Sequence, residues 1–600
     1  MKVRWLRGIL LAGIGFLPLA CGPRSEPAIG GIRLSQTNDK EPAGPPLFRE
    51  VAEEAGIRWT YTNGEEANHF AIIESLGGGI GLLDYDGDGL LDVFIPGGGS
   101  FAGPDKKQLV GHPCKLYHNL GGWKFRDVTA EVGLAGPWFY THGCAVSDYD
   151  RDGWPDLLVT GWRRLALFHN EPIDPQNASR GRHFVDVTEK AGLTSGSWSN
   201  SAGWADLDGD GYPDLYICHY VDWSFANHPT DCTYDGKTRD VCAPRKFSGL
   251  THKLFRNNGN ATFTDVSTEA GLHKGARDAS KGLGVVLVDL NGDGKPDIYV
   301  ANDTTGNYLY INHCQAGRFH FEEVGLFSGV ARDGRGSATG SMGVEAADYD
   351  GTGKPSLWVT NYENELHSLY KNECRPEHVF FTYQTQRSGI AALGQKYVGW
   401  GTGFLDLDHH GWEDLFIVNG HAIRYPNTPG VTRRQRPLLL RNQHGRFKDI
   451  SRRGGPYFER DHLGRGLALG DLDNDGRIDA IVSNINEPVA VLRNEADTGD
   501  NHWLGIELAG KDHADVVGAK IVLEDGERPQ TRFAKSGGSY ASSPDRRHVF
   551  GLPATARLGR VSVLWPNREE EHWEGLPVDR YYRLVQGERE AKVIACPSPK

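Results

Sequence analysis

Short apolar runs rich in β-branched and aromatic residues recur along most of the chain, separated by turns rich in Gly, Asp and Asn. Val93-Phe94-Ile95, Leu215-Tyr216-Ile217 and Ile298-Tyr299-Val300 are examples. Runs this short, with this composition, predict strands rather than helices. They come in a fixed order. An acidic loop of the form D-x-D-x-D-G-x-x-D opens each unit, starting at Asp84, Asp148, Asp206, Asp289, Asp348, Asp406 and Asp471. An apolar residue three places before an Asn follows: Leu116/Asn119, Leu167/Asn170, Leu254/Asn257, Leu309/Asn312, Leu369/Asn372, Leu439/Asn442 and Val491/Asn494. A Phe-x-Asp-Val-like strand then begins at Phe125, Phe184, Phe263, Phe321, Phe381 and Phe447. The loops lie 58–83 residues apart, enough for four strands and their connections per unit.

The last loop has no Phe strand after it. A spare copy stands at the other end, at Phe48-Arg49-Glu50-Val51. Loops and Phe strands match in number only if the first strand completes the last unit. A β-propeller closes in this way, leaving no long sheet edge open. The expectation is an all-β chain: a seven-bladed propeller over residues 47–498, then a small β-sandwich-like domain over 499–590. That second domain is read from short apolar runs broken by Gly and Pro, including His502–Leu508, Gly537-Gly538-Ser539-Tyr540 and Val561–Trp565.

The acidic loops specify a metal. Carboxylates at positions 1, 3, 5 and 9 converge if the chain turns at the Gly of position 6, and several hard oxygen donors suit Ca²⁺ rather than zinc. An EF-hand is excluded, because it needs Glu at position 12 and flanking helices. Here that position is Ile95, Val159, Ile217, Val300, Val359, Ile417 and Val482. The expected ligands are Asp84, Asp86, Asp88 and Asp92 in loop 1, and Asp148, Asp150, Asp152 and Asp156 in loop 2. Loop 3 offers Asp206, Asp208, Asp210 and Asp214, and loop 4 offers Asp289, Asn291, Asp293 and Asp297. Loop 6 keeps Asp406, Asp408 and Asp414 around His410, and loop 7 has Asp471, Asp473, Asp475 and Asp479. Loop 5 is worn, with Thr352 and Ser356 at ligand positions. Five sites are expected from loops 1–4 and 7, with loop 6 a compromised sixth. The chain carries a formal charge of −13, and five Ca²⁺ would neutralise most of it, so the acidity reads as metal ligand rather than as a field for a basic partner.

Residues 1–21 read as a basic n-region, a short apolar stretch and a lipobox-like Leu19-Ala20-Cys21-Gly22, with Pro18 where Leu is usual. Export with lipid on Cys21 is expected, in a bacterial cell envelope, with a secreted or periplasmic protein as the alternative; a flexible linker follows over 22–46 and, at the other end, a tail over 591–600. Export permits disulfides, and Cys232–Cys242 is the best local pair. Both lie in an insertion around His219–Gly249, where Trp223 and Tyr234 are candidate contact residues.

The acidic loops resemble FG-GAP/VCBS repeats of integrin-α-type propellers, and the C-terminal motifs resemble the ASPIC/UnbV domain. The combination is similar to the cartilage acidic protein family. That resemblance implies an extracellular calcium-binding protein with an adhesive or scaffolding role. No G-x-S-x-G elbow, H-E-x-x-H or P-loop is present. The expectation is therefore a non-enzymatic module that binds an extracellular protein or glycan and no nucleic acid. A calcium-dependent polysaccharide lyase or hydrolase is the alternative.

Overall fold

The computed structural model describes residues 44–177, 180–272, 280–375, 378–526 and 528–594. The export signal, Cys21 and Cys596 lie outside them. Seven four-stranded antiparallel sheets follow one another, each with its acidic loop between its first and second strands. The first strands are Gly81–Leu83, Thr141–Ser147, Ser199–Ala205, Gly282–Val288, Val344–Ala347, Gly399–Leu405 and Gly464–Gly470. Each packs on the next, and Gly81–Leu83 packs on both Thr141–Ser147 and Gly464–Gly470. The sheets are thus the blades of a ring. Second strands such as Asp156–Gly161 and Asp297–Asn302 are buried throughout, because neighbouring blades cover both their faces. Their unbroken apolar character follows from that.

Blade 7 takes its outer strand from the chain's beginning. Phe48–Glu50 pairs with Ala490–Asn494, and Phe48 sits opposite Asn494. Phe125 sits opposite Asn119, and Phe263 opposite Asn257, in the same register.

The repeat asparagine joins the blades. Its Nδ2 donates to the carbonyl at position 2 of the preceding blade's acidic loop. The bonds run Asn170→Tyr85 (2.9 Å), Asn257→Tyr149 (2.7 Å), Asn312→Leu207 (2.9 Å), Asn372→Leu290 (2.8 Å), Asn442→Tyr349 (2.9 Å) and Asn494→Leu407 (3.0 Å). Asn119→Leu472, at 2.8 Å, joins blade 1 to blade 7. All seven side chains are buried, so each bond satisfies a carbonyl that has no access to water.

The C-terminal residues form two more four-stranded sheets facing each other. One is His548–Leu552, His502–Ala509, Arg580–Val585 and Lys592–Val593; the other is Gln530–Phe533, Lys520–Glu524, Arg560–Leu564 and Glu570–Glu574. Leu504, Ile506, Ile521, Phe550, Val563 and Trp565 fill the space between them. The fold class is therefore the expected one, a seven-bladed propeller followed by a β-sandwich.

The sandwich also reaches into the propeller. Residues 536–545 leave it and run down the axis, bonding to the first strand of every blade or the residue just before it. Ser536 Oγ accepts from Trp204 N, and Gly538 N donates to Val285 O. Ser539 O accepts from Val344 N, while its hydroxyl accepts from Thr402 N and donates to Leu467 O. Ala541 N donates to Ser201 Oγ and its carbonyl accepts from Cys144 N. Ser543 exchanges backbone bonds with Ile80 and Leu82. The glycines that line the axis make room for this plug. A Cβ on Gly79 would stand 1.7 Å from Ala541 O, and one on Gly143 2.4 Å from the same atom.

The insertion after blade 3's second strand folds over the axis at the other end. Cys232 and Cys242 are joined by a disulfide. Trp223 is not a surface contact residue. It is 1 % exposed and packs in the central cluster with Trp198, Tyr220, Trp400 and plug residue Tyr540, because the insertion turns its aromatic side inward to seal the axis. Tyr234 does stay at the surface. Cys314 and Cys374, at equivalent positions in adjacent blades, are buried free thiols, as are Cys114, Cys144 and Cys218.

Two predictions follow from this packing. Asn119→Ala leaves two buried carbonyls without a donor and should cost about 2–3 kcal/mol in denaturant unfolding, whereas an exposed substitution such as Glu131→Ala stays within about 0.5 kcal/mol. Gly79→Ala forces the plug aside and should lower stability by about 1–3 kcal/mol, with hydrogen exchange rising at Ala541 and Ser543; unchanged exchange there would contradict the plug's seat.

Candidate metal centres on the capped face

In the antiparallel blades, the loops between strands 1 and 2 all lie at one end of the ring and those between strands 2 and 3 at the other. The acidic loops therefore share one face, and the sandwich sits on it. Arg151 bonds to Asp512 O, Asp515 N to Gly211 O, Arg568 to Gly292 O, Lys520 to Gly353 O, Arg528 to Gly411 O and Arg547 to Asp471 O. Six of the seven loops thus touch the cap.

Each loop is built by its own carboxylates. In loop 1 the position-1 residue, Asp84, accepts from the backbone N–H groups of Gly87 (2.8 Å), Asp88 (3.1 Å) and Gly89 (2.9 Å), which wraps the loop around it. The position-9 residue, Asp92, is fully buried. Its Oδ2 accepts from Tyr85 N at 3.0 Å and its Oδ1 from Asn119 N at 2.8 Å. Loops 2, 3, 4 and 7 repeat this, with Asp156, Asp214, Asp297 and Asp479 accepting from Asn170, Asn257, Asn312 and Asn494. In loop 5, Ser356 Oγ takes the carboxylate's place and accepts from Asn372 N at 3.1 Å. Position 9 therefore links metal loop and blade joint: it holds the asparagine that holds the previous loop.

The remaining oxygens converge. Carboxylate oxygens of Asp84, Asp86 and Asp88 lie within 4.8 Å of one another, as do those of Asp148, Asp150 and Asp152. Burial, reinforced by these neighbours, pushes the carboxyl of Asp84 up to about 6 and those of Asp148, Asp206 and Asp471 up to about 7. Asp289 and Asp348 rise to about 6, again through burial. Carboxyls crowded this way need their charge offset, by a cationic side chain or by a hard divalent ion, whose preference for oxygen the donor set fits. Such an ion would be held by positions 1, 3, 5 and 9, with position 9 fixed beforehand by its backbone donors.

Loop 6 behaves differently. Burial alone would raise Asp406 and Asp408, but hydrogen bonds from His410 outweigh it, joined at Asp408 by one from Arg441. Asp406 ends below its ordinary value and Asp408 is held down at about 2. His410 lies 2.8 Å from Asp406 and 3.2 Å from Asp408, and these bonds lift its imidazole to about 10 against burial. The sequence marks His410 as a departure at a ligand position, and the structure makes it a counter-ion.

One class of residue escaped the sequence reading altogether. In six of the seven blades the side chain just before the repeat asparagine turns back toward the acidic loop of its own blade, for instance His118 at 3.0 Å from Asp92 and Lys371 at 2.9 Å from Asp350. The signal was present as a basic residue at that place in six of seven repeats. His142, His219 and His421 are buried, and burial alone keeps His142 neutral, down to about 3.

Comparisons with known proteins agree with this architecture. A model of the FG-GAP-like repeat matches residues 84–159, 148–217, 241–300 and 289–359, and one named ASPIC and UnbV matches 509–591. Cartilage acidic protein 1 of Xenopus tropicalis is 27% identical over 505 residues, covering 82% of this chain and 70% of that protein. The Homo sapiens protein of the same name is 22% identical over 493 residues, covering 71% and 69%. Among solved structures, YCF48 from Cyanidioschyzon merolae aligns with a TM-score of 0.38 at 9% identity, over 70% of this chain and 97% of that one. The chain thus carries FG-GAP-like repeats ahead of a stretch that matches ASPIC and UnbV, and it is similar over most of its length to cartilage acidic protein 1.

Proposed function

We propose that the chain is an exported calcium-binding module, tethered by lipid on Cys21 at a cell envelope, that binds a glycan as a non-enzymatic adhesion or scaffold protein. One observation carries this reading. The sandwich covers the metal-loop face and the plug fills the axis, so the opposite face is the one left for a partner. That face holds a cleft of about 540 Å³ between the insertion, the blade 4–5 connection and the strand 2–3 loops of blades 5 and 6. Tyr234, Tyr362 and Tyr383 line it together with Arg335, Glu365 and Asn427. Partly exposed aromatic faces beside carboxylates and amides suit the apolar ring faces and hydroxyl edges of sugars. No helix among the described residues is long and apolar enough to cross a membrane.

The second reading, a polysaccharide-active enzyme, is favoured by one feature of the same cleft. Burial pushes the Glu365 carboxyl up to about 7. Glu363, which burial would also raise, is instead held below its ordinary value by the His421 imidazole 3.5 Å away. Two carboxyls of unlike protonation in one cleft are what acid–base chemistry needs.

The test is a retention assay of the mature chain against a panel of envelope polysaccharides and proteins, with the bound fraction checked for new reducing or unsaturated ends. Retention of an intact glycan, weakened about tenfold by Tyr362→Ala, is the expected result. Retention of a protein only would overturn the glycan reading, and cleavage lost in Glu365→Gln would move the chain to the enzymes.

A further inference from the structure

The residue before the repeat asparagine is His118, His169, Arg256, Ile311, Lys371, Arg441 and Arg493 in blades 1 to 7. Its place on the third strand puts it over the position-3 carboxylate of its own loop, where a metal ion would lie. What stands there differs sharply between blades.

In blade 7 the loop is complete in sequence, yet its carboxylates are already partnered. Arg493 lies 3.3 Å from Asp473, which also accepts from Trp123 Nε1 at 2.6 Å. The Arg477 guanidinium pairs with Asp475, and Tyr581 of the cap donates to Asp471 at 2.7 Å. In blade 6, Arg441 lies 2.6 Å from Asp408 and 3.3 Å from Asp414, with His410 on Asp406. In blade 5, Lys371 lies 2.9 Å from Asp350, and the position-9 carboxylate is missing.

Blade 4 is the opposite case. Ile311 brings no charge, and the Lys295 amino group turns away to Cys314 O at 2.6 Å. Blades 1 and 2 place the imidazoles of His118 and His169 3.0 Å from Asp92 and Asp156. Arg182 stands 3.6 Å from Asp152, and in blade 3 Arg256 stands 3.6 Å from Asp208, both beyond hydrogen-bond distance.

We propose that the chain supplies its own cation to loops 5, 6 and 7, through Lys371, through Arg441 with His410, and through Arg493 with Arg477, and that calcium is confined to loops 1 to 4. A tethered ammonium or guanidinium supplies the charge a loop needs to stay folded, and it repels a divalent ion a few ångströms away. The ring is thereby divided: blades 5 to 7 hold their loops without metal, while blades 1 to 4 depend on it. Calcium affinity at loops 5 to 7 should be at least about 100-fold weaker than at loop 4.

The mature chain equilibrated with about 1 mM calcium and freed of excess would be analysed for bound metal by mass spectrometry. Single variants Asp293→Asn, Asp350→Asn, Asp408→Asn and Asp475→Asn would be analysed alongside. The proposal expects four calcium ions or fewer, one of them lost in Asp293→Asn and none in the other three. Five or more ions, or a loss of one in any loop 5–7 variant, overturns it. The double change Arg477→Met with Arg493→Met should add one ion; because it risks misfolding, the carboxylate variants, which read the wild-type sites directly, decide the matter.

Discussion

A hydrogen bond from a buried asparagine to the loop of the blade before it sets the form of this protein. The ring has seven such bonds, and the one from Asn119 to Leu472 spans from the first blade to the last. Each asparagine is held in turn by the position-9 residue of its own loop, as Asn119 N is by Asp92. Metal loop and blade joint are therefore one device. Whatever fixes the acidic loop, whether a bound ion or a side-chain cation, also fixes the junction to the neighbouring blade. The position-1 and position-9 carboxylates have oxygens held by backbone N–H groups, as at Asp84 and Asp92, which offsets part of the cost of burying them.

The C-terminal domain belongs to the same device. It rests on the acidic loops, and its plug touches every blade along the axis. Ser539 and Ala541 each bond to adjacent blades at once, with Ser539 between Thr402 and Leu467 and Ala541 between Ser201 and Cys144. A propeller with an open channel has two usable faces and a central hole, whereas here one face is covered and the hole is filled. The remaining face carries the disulfide-pinned insertion and the tyrosine-lined cleft.

Much of the fold was legible because period and register are local properties. The loop-strand-Asn-Phe order repeats, and the displaced Phe48 copy pointed to the closure that its pairing with Asn494 exhibits. The clustering of the acidic side chains was legible because a loop's spacing sets its own geometry. What escaped depends on contacts far apart in sequence. Asn119 marked a repeat, but its partner Leu472 lies in another blade. Gly537-Gly538-Ser539-Tyr540 read as part of the second domain, and nothing near it indicates that it enters the first. Trp223 read as a surface aromatic because insertions are usually exposed, yet sealing the axis required a large apolar side chain. The counter-ions at Arg441 and Arg493 escaped because they stand on another strand, outside the loop motif they complete.

The central claim is that propeller, plug and cap form one cooperative unit. Scanning calorimetry of the mature chain with saturating calcium tests it most directly. The account predicts a single transition in which cap and propeller unfold together, with matching calorimetric and van't Hoff enthalpies. A separate early transition for the C-terminal domain, leaving an intact propeller behind, would contradict it.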